Sequence, residues 1–95
     1  MNNEYGSRKR SVNVKVTDNA GIPLRNVDAT IVGSPLTKKT SEKGGFQIDH
    51  MPAGVYTFNF STPGHKPVAA TVIVRNGEMA KVNVVVESIL ENVNV

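Results

Sequence analysis

The chain has 95 residues with 11 Lys and Arg against 8 Asp and Glu, a formal charge of +3, and its length suits one domain with its own core. The lack of any cysteine excludes disulfides, zinc–thiolate and iron–sulfur sites, and a cysteine nucleophile. The small basic excess, without stacking side chains among clustered cations, argues against a nucleic-acid surface, and no apolar run approaches the roughly 20 residues of a membrane-spanning helix.

Met1 to Arg10 is polar and lacks periodicity, which predicts an arm over 1–10 carrying the basic cluster Arg8, Lys9 and Arg10. The arm holds no apolar segment of signal-peptide type. From Ser11 to Thr17 the chain alternates, with Val12, Val14 and Val16 on one face, as a half-buried strand does. Asp18-Asn19-Ala20-Gly21 reads as a turn, because Asp and Asn bond their own backbone and Gly accepts positive φ. One carboxylate is too few oxygen ligands for a calcium loop there. Asn26 to Gly33 predicts a second strand with Val27, Ala29 and Ile31 inward. Leu36 to Ser41 predicts a short edge strand whose Lys38 and Lys39 discourage edge-to-edge pairing.

Gly44 to Phe60 reads as two alternating strands joined by Pro52-Ala53-Gly54. Phe46 and Ile48 share one face of the first, and Tyr56, Phe58 and Phe60 one face of the second. Ser61 to Pro67 is a loop between prolines that cannot donate to a ladder. Val68 to Val74 is a strand apolar on both faces, and Arg75-Asn76-Gly77-Glu78 is a turn of hairpin type. In the last strand, Met79 to Glu87, Ala80, Val82, Val84 and Val86 face inward while Val85 is the odd apolar residue outside. Ile73 and Val85 are noted as exposed apolar positions. The tail 89–95 carries Ile89, Leu90, Val93 and Val95.

Seven short strands with Gly and Pro turns and no helical period predict an all-β, antiparallel, Greek-key sandwich over 11–88. No ionisable pair has the spacing of a catalytic or metal site: His50 and His65 each sit beside a proline, without a partnered acid or nucleophile. No cofactor, metal or catalytic residue is assigned.

The run Val14-Lys15-Val16-Thr17-Asp18, Gly21-Ile22-Pro23-Leu24, Val27, Thr40, Gly45-Phe46, Pro52-Ala53-Gly54-Val55-Tyr56 and Pro63-Gly64-His65-Lys66 resembles the carboxypeptidase regulatory-like domain family. That resemblance implies a prealbumin-like sandwich used as an accessory module of enzymes, receptors, surface proteins or virion parts. Similarity to collagen-adhesin B-type domains would imply a Lys–Asn isopeptide bond promoted by a buried acid. The matching positions here are Val16, Phe60 and inward valines of the last strand, so no such bond is expected. Similarity to transthyretin-like hydroxyisourate hydrolases breaks at the C-terminus, which lacks their Tyr-Arg-Gly-Ser signature. Starch-binding relatives stack sugars on tryptophan, absent here.

The resulting expectation is a non-enzymatic structural or protein-interaction module attached to a larger assembly, at a cell surface, outside the cell or on a virion. The alternative is a carbohydrate-binding accessory domain of a secreted enzyme. Three contact regions are expected: the arm (Arg8, Lys9, Arg10), a loop tip (Asp49, His50 with His65, Lys66) and the tail (Ile89, Leu90). The partner is a protein, with a glycan as the other ligand class.

Overall fold

The computed structural model describes residues 10–89. Seven strands follow in order: β1 (Arg10–Asp18), β2 (Asp28–Ile31), β3 (Thr37–Lys39), β4 (Gly45–Ile48), β5 (Gly54–Ser61), β6 (Val68–Val74) and β7 (Glu78–Val86). They form a three-stranded sheet in the order β4-β1-β7 and a four-stranded sheet in the order β3-β2-β5-β6. The expected all-β sandwich is therefore present. Its core holds the inward residues that alternation predicts, Val12, Val14 and Val16 from β1, Ala29 and Ile31 from β2, Phe58 and Phe60 from β5, Val84 and Val86 from β7, together with Val72 and Val74 of β6, which reads as apolar on both faces, and Val27 and Met51 from the connections. Phe58 and Phe60 stack at 6.2 Å between ring centroids, and Tyr56, Phe46 and Ile48 pack against this cluster from its margin.

One pairing departs from the antiparallel expectation. β1 is antiparallel to β4 but parallel to β7, in register from Arg10↔Glu78 to Asp18↔Val86. The other three pairings are antiparallel. The reason is topological. Each strand reverses the direction of the one before it, so all odd-numbered strands run the same way. Setting β1 beside β7 then makes that pair parallel. Alternation in the sequence reports which face a residue takes and carries no information on strand direction.

The parallel pair separates the chain ends of the sandwich. Arg10 enters at one end and Val86 leaves at the other, nine paired residues away, about 30 Å at the usual rise per residue. The end where β1 begins also holds the β2–β3, β4–β5 and β6–β7 connections. The end where β7 finishes holds the β1–β2, β3–β4 and β5–β6 connections.

That second end is tied together by backbone bonds. Asp18 Oδ1 accepts from the Ala20 and Ile22 amides at 2.8 and 2.9 Å, which builds the expected turn. Buried Thr40 donates its hydroxyl to the Leu24 carbonyl at 2.6 Å and accepts from the Val27 amide at 3.0 Å. Asn26 has φ of 60° and donates its amide to the Thr40 carbonyl. This left-handed residue delays β2 to Asp28, two residues later than the alternation suggests. Gly44 has φ of +83°, and a Cβ there would meet the Val16 carbonyl oxygen at 2.8 Å and Pro23 at 2.9 Å, so glycine is required twice over. A loop was expected over 61–67, and there the structure adds pairing: a bridge joins His65 to Ser88. The Lys66 amide donates to the Glu87 carbonyl, and the Ile89 amide to the Gly64 carbonyl.

Candidate partner-binding site

The opposite end is open. A cleft of about 450 Å³ lies between the segment that follows β2 (Ile31, Ser34, Leu36) and the β4–β5 turn, with Ile48, Asp49, His50, Met51, Pro52 and Tyr56 completing its lining. Its two walls come from different sheets, β2 from the four-stranded and β4 from the three-stranded. Both strands are edge-proximal and short, so their connections are free to diverge. The lining is predominantly apolar with a few polar groups at its rim, the usual make-up of a binding cleft.

The rim is held by side chains. Asp49 Oδ1 accepts from the Ser11 hydroxyl at 2.9 Å and from Gln47 Nε2 at 2.8 Å, which fixes the carboxylate across the start of β1. The Met51 amide donates to the Arg10 carbonyl at 2.9 Å and buries the Met51 side chain in the cleft floor. The Tyr56 hydroxyl donates to the Pro52 carbonyl at 2.6 Å, fixing the ring at the cleft margin. Between these anchored positions, His50 is exposed and has φ of 60°, a left-handed conformation uncommon outside glycine although His is among the residues that tolerate it. Asp49, His50 and Arg10 thus stand at one end of the molecule.

His65 and Lys66 stand at the other, across the eight residues of β5, about 26 Å. The expectation that one tip unites Asp49 and His50 with His65 and Lys66 is corrected: these loops follow opposite ends of the same strand. The Lys66 ammonium pairs with Glu87 at 3.4 Å and so serves the local bridge to residues 87–89, while His65 Nδ1 lies 3.0 Å from the Pro63 carbonyl within its own turn. Ile89 is with them, exposed. Arg8, Lys9 and Leu90 lie outside the described residues. Arg10 begins β1 instead of closing the arm. Ile73 and Val85 are exposed but sit on the outer faces of different sheets, so they make no common surface. Ile73 is instead opposite Val55 in the β5–β6 register.

Catalytic chemistry finds no arrangement among the described residues. Ser11 is buried and its hydroxyl is committed to Asp49. The two histidines are at opposite ends. No three His, Cys, Asp or Glu side chains group as metal ligands among the described residues. Val16, Phe60 and Val84 occupy the core, while Lys15 and Asn83 oppose each other on the exposed face and lack the buried setting an isopeptide reaction needs. Sequence reasoning singled out Asp49 and His50 but missed the apolar half of the cleft. The available signal was Leu36, a lone leucine between a Ser-Pro turn and a Thr-Lys-Lys edge.

The carboxypeptidase regulatory-like domain model matches residues 11–87, and the chain belongs to that family. Solved structures share the fold, two of them as follows. The Bacillus anthracis TIE protein superposes with a TM-score of 0.71 at 17% identity, covering 85% of this chain and 17% of that one. GBS52, the minor pilin of Streptococcus agalactiae, superposes with a TM-score of 0.69 at 10% identity, covering 93% of this chain and 48% of that one. The chain therefore spans less than half the length of either. No curated protein matches it.

Proposed function

We propose that this carboxypeptidase regulatory-like domain is a non-enzymatic structural module that holds its place in a larger assembly, of cell-surface or virion type, by protein contacts at its open end. The observation that carries the reading is the parallel β1–β7 pair, which brings the chain in at one end and out at the other, the geometry of a link in a row. The open cleft offers that link an apolar contact beside the incoming strand. One fold neighbour is a minor pilin, which supports the setting.

A carbohydrate-binding role has less support. Sugar recognition draws on exposed aromatic faces, whereas Phe58 and Phe60 are buried and Tyr56 packs on the core with its hydroxyl bonded to Pro52. The test is purification of the tagged full chain from its host, beside Leu36→Asp, with a parallel glycan array. Stoichiometric capture of a protein that Leu36→Asp abolishes is the expected result. Capture unaffected by Leu36→Asp, or glycan binding without a protein partner, overturns the reading.

A further inference from the structure

Three observations define an occupant for the cleft. Its walls are Ile31, Leu36, Ile48, Met51, Pro52 and Tyr56, and about 450 Å³ is in the range that accepts a small group of aliphatic side chains. The one carboxylate at its rim, Asp49, is already engaged by Ser11 and Gln47. The cleft therefore selects a short apolar segment over a basic one.

The sequence contains such a segment. Leu90-Glu91-Asn92-Val93-Asn94-Val95 supplies three aliphatic side chains and a single charge. By contrast, residues 1–9 are polar and carry Arg8 and Lys9 with Tyr5 as their only aromatic. Residues 90–95 lie outside the described residues, but their point of departure is fixed. The Ile89 amide donates to the Gly64 carbonyl at 2.9 Å, at the tied end of the sandwich. Six residues reach at most about 21 Å. The cleft wall at Ile48 is level, through Val12, with Ala80, back along β7 from Ile89 by about 30 Å. The segment cannot fill the cleft of its own molecule.

We propose that residues 90–95 of one copy dock in the open-end cleft of a second copy, giving head-to-tail association of this chain. The inference rests on the assembly reading above and names its contact. Docked end to end, each contact leaves one tail and one cleft free, so the association propagates along a row.

Sedimentation equilibrium of the full chain across a wide concentration range tests this, with Val93→Asp as the donor variant and Leu36→Asp as the acceptor variant. Val93 is not part of the described core, and urea denaturation of each variant checks that the sandwich is intact. The wild type should form species larger than a dimer, and each variant alone should associate at least about tenfold more weakly. An equal mixture of the two should recover a dimer and nothing larger, since one intact tail then meets one intact cleft. A monomeric wild type, a Val93→Asp chain that associates as the wild type does, or a mixture that stays monomeric overturns the proposal. So does a chain lacking residues 1–9 that gains association the full chain lacks, which would assign the cleft to the arm. A monomeric full chain that still captures another protein through Leu36 overturns the head-to-tail contact alone and leaves the assembly reading in place.

Discussion

At the tied end, residues 62–66 and 87–89 exchange backbone hydrogen bonds, Thr40 bridges two connections, and Gly44 is pressed against the Val16 carbonyl. At the open end, the corresponding connections diverge around a cleft, held by the Asp49 and Tyr56 side chains at its rim and by the Met51 amide on the Arg10 carbonyl. The two ends are built from similar turn residues and share one core. What separates them is the use of the polar groups. At the tied end they are consumed by the chain's own backbone. At the open end an apolar surface is left uncovered, and burying it against a partner is favourable at about 25 cal/mol per Å². The bonded connections are thus gathered at one end of the small sandwich and the uncovered apolar surface at the other.

Substitutions at the tied end should therefore cost stability, and those at the open end should cost binding. The largest loss is expected for Gly44→Ala, about 2–4 kcal/mol by urea denaturation, because the added methyl meets backbone and the left-handed φ is strained. Thr40→Val should follow at about 1–3 kcal/mol, since it strands the buried Val27 amide. An effect of Thr40→Val below that of Ser11→Ala would break the comparison. Ser11→Ala, at the open end, should cost about 1 kcal/mol, because Asp49 keeps its bond from Gln47. His50→Gly should raise stability by about 0.5–1 kcal/mol by relieving the left-handed backbone. A clear loss of stability would instead show that the imidazole has a structural role. Lys66→Ala breaks only an exposed ion pair and should stay within about 0.5 kcal/mol.

The core was readable from the sequence because it is a matter of parity: Val12, Val14 and Val16, or Phe58 and Phe60, fall on one face whatever strand lies beside them. The open cleft was readable only in part. Asp49 and His50 announce a polar turn, but Ile31 and Leu36 reach the same cleft from another sheet, and that meeting depends on non-local packing that no local pattern encodes. The parallel β1–β7 pair is equally non-local. Two left-handed residues, Asn26 and His50, were invisible for a different reason. Unlike glycine, neither announces the conformation that its neighbours impose on it. The proposed tip failed because loops equally rich in Pro and His can stand at either end of a strand, and counting strand reversals from β4 to β6 is what separates them.

The central claim is that the open end receives the partner. The most direct test places a photo-crosslinking amino acid, one position at a time, at Leu36 in the cleft and at Thr71 on the outer face of β6, in the full chain within its host. A discrete protein adduct is expected from position 36 and none from position 71. Adducts concentrated at position 71, with position 36 silent, would contradict a partner received at the open end.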